Sequence, residues 1–281
     1  MLPFAKMNGA GNSILVVDER GRVPTLDGSM AQALCRGPLA FEQMMVLSDP
    51  AAPGIDAAVR IFNTDGSRAG ACGNGTRCVA WFMAETGGGA ELRLDVDGTA
   101  VSCRRDGPLA FTVDMGPPHF GWRDIPLREA ADTLQLDLGE ALAGTGLSAP
   151  AAVSMGNPHL VFFVPSAAAV DLPVLGPRFE RHPMLPDRAN VSFAEVRGPD
   201  EVVLRVWERG AGATLACGSA ACATLAAAAL RGLTGRAARI RLPGGDLHIA
   251  WRADGHMMMT GPVALEHRGR LDPATGAVAP W

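Results

Sequence analysis

Two cysteine motifs carry the clearest chemical signal in the sequence. They are Ala71-Cys72-Gly73-Asn74-Gly75-Thr76-Arg77-Cys78 and Ala216-Cys217-Gly218-Ser219-Ala220-Ala221-Cys222. In each, an apolar run at helical spacing follows, so Cys72 and Cys217 are predicted to lie at helix N-termini. Unpaired backbone N–H groups and the helix dipole lower a thiol pKa there, from roughly 8.5 to between about 3.5 and 7.5. Both thiols are therefore candidates for acid–base chemistry.

The surroundings of the two cysteines repeat along the chain. An asparagine that follows a glycine lies 60 positions before each cysteine, at Asn12 and Asn157 (72 − 12 = 217 − 157 = 60). A polar residue that follows an aromatic one lies nine positions before each cysteine, at Asn63 and Glu208 (72 − 63 = 217 − 208 = 9). One offset of 145 residues relates these landmarks. The sequence therefore predicts two homologous halves with one cysteine each.

The elements that must position these residues are mostly strands. Short apolar runs between turn residues predict strands throughout both halves. The predicted helix over 223–230 is apolar on nearly every face, which is typical of a helix buried on all sides. The fold class predicted is α/β (α+β), with two pseudo-symmetric domains. Each domain is expected to be a barrel-like, mostly antiparallel sheet around a central helix.

The domain boundary is predicted at Gly116-Pro117-Pro118. Residues 1–117 form the N-terminal half, which carries Cys72, and residues 118–262 form the C-terminal half, which carries Cys217. The segment 263–281 either returns to the first domain or stays with the second. A short helix is expected over Asp27 to Arg36, capped by Asp27 or Ser29, and a second short helix near Asp171 to Leu175. Residues 131–147 are expected to form a weak amphipathic helix or a linking piece.

Composition excludes several classes of function. The chain of 281 residues is long enough for two cores, and its net charge of −4 comes without a basic patch that could bind nucleic acid. The N-terminus shows no signal-peptide pattern, and no window reaches the roughly 18 apolar residues of a membrane span. We expect a cytoplasmic protein that acts on a small molecule, with no nucleic-acid or membrane partner.

Metals, cofactors and disulfides are not expected. Without a secretory signal the six cysteines are predicted to be free thiols, with Cys35, Cys78, Cys103 and Cys222 in the core. Cysteines five or six positions apart on a helix do not share one face, which argues against zinc. A disulfide between Cys72 and Cys217 would be an inactivated state. Lys6 is the only lysine, so a pyridoxal Schiff base would have to use it.

Two thiols facing one cleft have the geometry of a two-base racemase or epimerase. One group removes the α-proton from one face of an amino acid while the other donates a proton to the opposite face. The helix N-termini would stabilise the negative charge that develops on the substrate carboxylate. The two thiols would titrate as a coupled pair, and domain closure would exclude water.

The chain resembles the diaminopimelate epimerases, which are cofactor-independent. The similarity covers nearly the whole chain and is densest in four stretches: 6–12, 63–78, 154–159 and 208–222. It implies conversion of LL-2,6-diaminopimelate to the meso form, for lysine and peptidoglycan precursor biosynthesis, by a homodimer. It also implies that Cys72 and Cys217 are the acid–base pair. The substrate-binding residues it implies are Asn12, Gln43, Asn63, Asn157, Asn190, Glu208 and Arg209, with the backbone of Gly73, Asn74, Gly218 and Ser219 at the reacting carboxylate.

The sequence departs from the common family pattern at several positions. Asn8 replaces a frequent histidine, Ser13 a frequent aspartate, and 40–43 reads Ala-Phe-Glu-Gln where Gly-x-Asp-Gln is usual. Arg68 stands where an acidic residue is common, and Ala220 where glycine is. None of these changes removes an implied acid, base or anchor, but Arg68 and Ala220 are expected to alter local charge and the helix start.

Two alternative functions stay open on sequence alone, together with simpler interpretations of single residues. A proline or hydroxyproline racemase would use the same two-cysteine logic, but its compact ligand has no second carboxylate for Arg209 to hold. A two-lobed binding protein would close on an amino acid without chemistry and would usually carry an export signal. Glu208 and Arg209 could form only a surface ion pair, although their Gly-rich loop favours substrate recognition. His159 is expected to order its loop rather than to act as a base.

Overall fold

The computed structural model describes residues 1–281 and divides into two compact units. Unit 1 comprises Met1–Asp114 together with Thr260–Trp281, and unit 2 comprises Met115–Met259. The C-terminal segment therefore packs with the N-terminal part of the chain. None of the helices combines the length and the hydrophobicity of a membrane-spanning segment.

The elements follow one another in a similar order in the two units. Unit 1 contains β1 (Leu2–Gly9), β2 (Asn12–Asp18), α1 (Gly28–Leu34), β3 (Gln43–Ser48), β4 (Ala57–Asn63), α2 (Gly73–Glu85), β5 (Glu91–Val96), β6 (Thr99–Arg105) and β7 (Ala110–Asp114). Unit 2 contains β8 (Ala151–Ser154), β9 (Pro158–Phe163), α3 (Leu172–Glu180), β10 (Asn190–Gly198), β11 (Glu201–Glu208), β12 (Gly212–Thr214), α4 (Gly218–Leu230), β13 (Ala237–Leu242) and β14 (Gly245–Trp251). The strand β15 (Met257–Pro262) runs across the unit boundary, and β16 (Ala264–Leu271) and β17 (Val278–Pro280) follow in unit 1.

Strand pairing repeats between the units. In unit 1, β1 pairs antiparallel with β2, β2 parallel with β3, β3 antiparallel with β4, β4 parallel with β5, and β5 antiparallel with β6. In unit 2, the strands β8, β9, β10, β11, β13 and β14 pair in the same alternating pattern. Moving α2 by 145 positions reproduces the bounds of α4 (73 + 145 = 218; 85 + 145 = 230). The repeat is therefore present in the structure as well as in the sequence.

One helix forms the centre of each unit. In unit 1, α2 contacts β1, β2, β3, β6 and β7, and in unit 2, α4 contacts β8, β9, β10, β13 and β14. The residues of α4 from Ala220 to Ala228 are all buried, because small alanine side chains let strands approach the helix from every direction. The predicted fold class, a mostly antiparallel sheet around a central helix in each domain, is confirmed.

The helix ends follow local sequence rules. The Asp27 side chain caps α1 by accepting from the backbone N–H groups of Ser29 and Met30. Beyond the ends of α2 and α4, Gly87 (φ 100°) and Gly232 (φ 68°) take up left-handed conformations that release the chain from the helix.

The segment 131–147 shows the linking alternative rather than a helix. Its only helical part is a single 3₁₀ turn at Gly139–Leu142. Three glycines in this stretch have positive φ values, Gly139 at 53°, Gly144 at 71° and Gly146 at 70°. These left-handed residues interrupt any α-helix that the apolar spacing would otherwise favour.

All six cysteines are in the thiol form. Cys78, Cys103 and Cys222 are buried, as predicted. Cys35 is only half-buried, so its expected place in the core is wrong. It lies at the end of α1, where its Sγ is 3.2 Å from the Gln32 carbonyl oxygen and 3.6 Å from that of Thr64.

Candidate active site

The predicted substrate residues of unit 1 lie at one edge of its sheet. Gln43, the first residue of β3, pairs with Ile14 of the parallel strand β2 and with Asn63, the last residue of β4. Asn12 is the first residue of β2, two positions before Ile14. Parallel pairing places two strand starts together, and antiparallel pairing adds a strand end. The topology thus gathers Asn12, Gln43 and Asn63.

Side-chain hydrogen bonds orient the two amides of this edge. Gln43 Nε2 donates to Asn63 Oδ1 at 3.0 Å, and Asn63 Nδ2 donates to Ser67 Oγ at 3.0 Å. The turn itself is closed by the Asn63 backbone N–H, which donates to the Ser67 carbonyl oxygen at 2.9 Å. Ser67 was not among the predicted substrate residues. The network fixes which way each amide points.

Cys72 caps the N-terminus of α2 through its sulfur. Its backbone is extended, with φ −154°, and its Sγ accepts a hydrogen bond from the Gly75 backbone N–H at 3.2 Å. Asn12 Nδ2 is directed at the same sulfur from 3.9 Å. Donors aimed at a sulfur favour the thiolate over the thiol. The local geometry therefore suits a general base.

One buried hydrogen-bond acceptor beside Cys72 has no donor. Asn12 Oδ1 is buried without a hydrogen-bond partner, while the Nδ2 of the same amide faces the sulfur. An unpaired buried acceptor costs about 1–3 kcal/mol, so proteins seldom keep one without a use. Its chemistry suits an N–H donor on a ligand.

A glycine lets the β1–β2 turn lie against the start of α2. A Cβ on Gly9 would come within 2.9 Å of the Asn74 carbonyl oxygen, closer than real Cβ contacts. The backbone of the first helical turn thus lies close to the turn that leads into Asn12. This contact fixes how closely the β1–β2 turn approaches the helical turn that carries Asn74.

The predicted residues of unit 2 gather at the matching edge. Asn190, the first residue of β10, pairs with His159 of the parallel strand β9. Asn157 lies two positions before His159, and Glu208 ends β11, which runs antiparallel to β10. The same alternation of parallel and antiparallel pairs that gathers the amides of unit 1 gathers these residues.

A chain of polar contacts connects His159 to Cys217. His159 Nε2 lies 2.9 Å from Asn157 Oδ1, and Asn157 Nδ2 donates to Ser219 Oγ at 3.5 Å. Ser219 Oγ lies 3.5 Å from Cys217 Sγ. Burial lowers the pKa of His159 to about 3, with the charge of Arg209 acting in the same direction. A neutral His159 donates from Nε2 to Asn157, which is the loop-ordering role expected from the sequence.

Cys217 differs from the sequence-based expectation. Burial raises the pKa of its thiol well above the usual value, and the charge of Glu208 adds to this effect. Hydrogen bonds from Ser219 and the Ala220 backbone N–H act in the opposite direction but do not prevail. The expected lowering of the pKa at a helix N-terminus is therefore wrong for Cys217, because only 6% of the residue is exposed. The raised pKa favours the neutral thiol, which suits a proton donor.

The loop after β11 is fixed from several sides. The Arg209 backbone N–H donates to Asn190 Oδ1 at 2.9 Å, and Arg209 Nη1 donates to the Asp187 carbonyl oxygen at 2.9 Å. Thr214 Oγ1 donates to Glu208 Oε1 at 2.6 Å. Glu208 and Arg209 thus contact different partners, which argues against a simple surface ion pair. Thr214 was missed because a hydroxyl on a short strand carries no signal in the sequence.

The departures from the family pattern are accommodated locally. Arg68 pairs with Asp97 and lies over the ring of Phe62, 5.1 Å from its centroid. Ser13 Oγ accepts from Lys6, whose Nζ also pairs with Glu266 at 2.9 Å. No group of three or more His, Cys, Asp or Glu side chains could hold a metal ion.

Comparison with known proteins places this arrangement in a family. The profile of the family described as "Diaminopimelate epimerase" matches residues 4–121 and 151–266. A diaminopimelate epimerase of Methylocella silvestris is 52% identical over 278 residues, which cover 98% of this chain and 96% of that protein.

Solved structures at lower identity share the fold. A protein described as a predicted epimerase, from Pseudomonas aeruginosa, superposes with a TM-score of 0.70 at 21% identity, covering 96% of this chain and 99% of that one. A hydroxyproline epimerase from Agrobacterium vitis gives a TM-score of 0.64 at 16% identity, covering 97% and 92%. The fold alone thus serves several epimerases, and the sequence match decides among them: the chain belongs to the diaminopimelate epimerase family.

Proposed function

We propose that the protein epimerises LL-2,6-diaminopimelate to meso-diaminopimelate in a cofactor-independent reaction with Cys72 and Cys217 as the two bases. One observation carries the assignment of the pair: two helices with bounds 145 residues apart each begin directly after a cysteine. Two thiols at equivalent helix starts in two repeated units support a reaction in which each thiol acts on one face of the same carbon.

The local environments support different resting forms for the two cysteines. The Cys72 sulfur accepts from the Gly75 N–H at 3.2 Å, which favours a thiolate. The Cys217 thiol is buried beside Glu208, which favours the protonated form. One anion and one neutral thiol avoid the cost of two close negative charges.

The reaction follows from these forms. For the LL substrate, the Cys72 thiolate takes the α-proton and becomes a thiol. The electron pair of the broken C–H bond stays on the substrate, where it delocalises into the carboxylate. Cys217 then gives its proton to the opposite face of the carbon and becomes a thiolate. The reverse reaction exchanges the two roles.

Backbone groups stabilise the charge that develops on the substrate. Gly73 and Gly218 begin the two helices, followed by Asn74 and Ser219. Their N–H groups belong to the first turns, which have no helical carbonyl partner, so they can donate to the reacting carboxylate. Removing one such donor typically costs about 10²–10³ in rate.

The polar edges of the two units hold the rest of the substrate. The buried Asn12 Oδ1 suits a substrate ammonium group, because it lacks a donor. Gln43, Asn63, Asn157 and Asn190 supply further amide groups. Arg209 offers a bidentate fork to the distal carboxylate, and Glu208 a charge opposite to the distal ammonium. Meso-diaminopimelate would feed lysine and peptidoglycan precursor biosynthesis, and we propose that the protein works in the cytoplasm as a homodimer.

Replacing each cysteine tests the assignment. Cys72→Ala and Cys217→Ala are each expected to lower kcat by at least about 10³-fold, because each removes one of two obligatory proton carriers. Substrate binding, measured by calorimetry, should persist in both. Cys103→Ala serves as the matched control, since this thiol belongs to the core and should leave kcat within about twofold. Turnover at the native rate in either active-site variant would refute the two-base pair.

A further inference from the structure

A buried carboxylate supports the substrate-binding loop from behind. Glu180 is the last residue of α3 and is only 3% exposed. Its Oε2 accepts from Trp207 Nε1 at 2.8 Å, and its Oε1 accepts from the Gly210 backbone N–H at 3.0 Å. Arg188 Nη1 also reaches Oε1, at 3.3 Å. A single side chain therefore holds the residues on both sides of Glu208 and Arg209.

The contact of Glu180 forms one half of a two-point clamp. Two successive backbone N–H groups of the loop donate to side-chain oxygens: that of Arg209 to Asn190 and that of Gly210 to Glu180. Gly210 has a φ of 78°, so the loop turns sharply at this point. Fixing both N–H groups sets the direction in which the Glu208 and Arg209 side chains leave the backbone.

The packing of α3 reinforces the clamp. A Cβ on Gly176 would come within 2.4 Å of the Trp207 ring, so the helix and the indole are in direct contact only because this residue is glycine. The indole is thereby held with its Nε1 directed at Glu180. Trp207 immediately precedes Glu208, so its fixed position is transmitted to the first residue of the loop.

The other unit shows that the carboxylate is not a general requirement of the repeat. The offset of 145 residues places Cys35 at the position equivalent to Glu180 (180 − 145 = 35). Cys35 Sγ lies 3.6 Å from the Thr64 carbonyl oxygen, in the turn that follows Asn63. A half-buried thiol there meets a carbonyl, whereas in unit 2 a carboxylate accepts from the Trp207 indole and the Gly210 backbone N–H. The stronger contact is built where the loop carries charged side chains.

We propose that Glu180 is a positioning residue for substrate recognition, which acts by holding the Glu208–Gly210 main chain in its binding geometry. The inference rests on the proposed function, since it assigns a role to Glu180 in binding diaminopimelate. Glu180 itself is placed behind the loop and touches no reacting atom.

Glu180→Gln is the sharpest probe, because it keeps the shape of the side chain. An amide has one acceptor oxygen, so it can accept from Trp207 or from Gly210 but its NH2 group opposes the other donor. Losing one hydrogen bond to a charged acceptor is worth about a factor of ten in affinity. We expect KM for LL-diaminopimelate to rise about tenfold, with kcat changed less than about threefold. Amide hydrogen exchange of residues 208–212 should become faster, while the midpoint of urea unfolding changes little.

Two further variants separate positioning from general damage. In Trp207→Phe the indole donor is absent, so the amide of a Glu180→Gln/Trp207→Phe double variant can direct its oxygen at Gly210. Its KM should therefore lie within about twofold of the Trp207→Phe single variant. Arg188→Gln removes only the 3.3 Å contact from the half-exposed Arg188 and leaves the Trp207 and Gly210 contacts of Glu180 in place, so KM should stay within about twofold of the native value.

The outcomes are distinguishable. An unchanged KM in Glu180→Gln overturns the positioning role, and so does a tenfold KM increase that persists in the Trp207→Phe background. If the native protein does not turn over diaminopimelate, the proposed function fails. In that case the exchange rate of residues 208–212 alone decides whether Glu180 holds the loop.

Discussion

At the scale of residues, the two proposed catalytic sulfurs have different neighbours. Asn12 Nδ2 and the Gly75 N–H are directed at Cys72, whereas Glu208 lies beside Cys217. The first environment favours negative charge on sulfur and the second opposes it. The different roles that we propose for these two chemically identical groups therefore rest on their neighbours.

A single substitution can place a negative charge beside Cys72. Asn12→Asp replaces the amide donor 3.9 Å from Sγ with a carboxylate. A like charge disfavours the thiolate, so the acidic limb of the kcat/KM profile should move up by at least about one pH unit. The matched variant Asn157→Asp lies next to Ser219 on the Cys217 side and should instead move the alkaline limb upward. An acidic limb that stays in place in Asn12→Asp would contradict the role of Cys72 as the base.

The positions of both cysteines could be predicted from the sequence, but the environment of Cys217 could not. Cys217 directly precedes Gly218 and an apolar run. This pattern indicated a helix start, which α4 confirms. Burial of the thiol and its contact with Glu208 depend on how β11 and α4 pack together. That packing is long-range, so no local pattern signals it.

At the scale of elements, a close backbone contact places the start of α2. Gly9 lets the β1–β2 turn approach the first turn of α2, where Asn74 is located. The strands and the two central helices could be predicted because their side-chain periods are strong. The segment 131–147 was ambiguous, because its apolar spacing favours a helix whereas its left-handed glycines interrupt one.

Gly9→Ala tests this placement. The added Cβ would lie 2.9 Å from the Asn74 carbonyl oxygen, so the backbone must shift. We expect the free energy of unfolding to fall by about 1–3 kcal/mol and kcat to fall at least about tenfold. Gly70→Ala is the control, since a methyl group at that position would have no other atom within 4 Å and the Gly70 backbone is not left-handed. Native kcat in a folded Gly9→Ala protein would show that the contact does not place the helix start.

At the scale of the whole molecule, buried thiols in the core make stability depend on pH. Burial raises the pKa of both Cys78 and Cys103 to about 12. In the unfolded chain these thiols titrate near 8.5, so between about pH 8.5 and 12 the unfolded state binds fewer protons. The stabilisation from each buried thiol is complete below this range. It is lost with rising pH at up to about 1.4 kcal/mol per pH unit.

Cys103→Ala should reduce that pH dependence. Urea unfolding at pH 8 and pH 10.5 should show a smaller loss of stability in the variant than in the native protein, by up to about 1.4 kcal/mol per pH unit. The cavity left by the missing sulfur lowers stability at both pH values and does not affect the difference. Equal differences in the two proteins would contradict a shifted Cys103 pKa.

The organisation into repeated halves was visible in the sequence because three landmarks share one offset. The strand pairing and the matching bounds of α2 and α4 extend this repeat to the structure. The part that Glu180 takes was not visible, because the equivalent residue in the other half is Cys35 and the repeat carries no hint of a carboxylate. Different roles of equivalent positions in the two halves become visible only in their side-chain contacts.

The most direct test of the two-base reaction is proton NMR of LL-diaminopimelate in D2O with purified, fully reduced protein and no added cofactor. Cys217 exchanges its proton with solvent before it meets the substrate, so the meso product should carry deuterium at the inverted carbon from the first turnovers. Over the same early period the remaining LL substrate should keep its α-proton. Meso product that retains protium at the inverted carbon, or a spectrum that does not change, would contradict the two-base reaction.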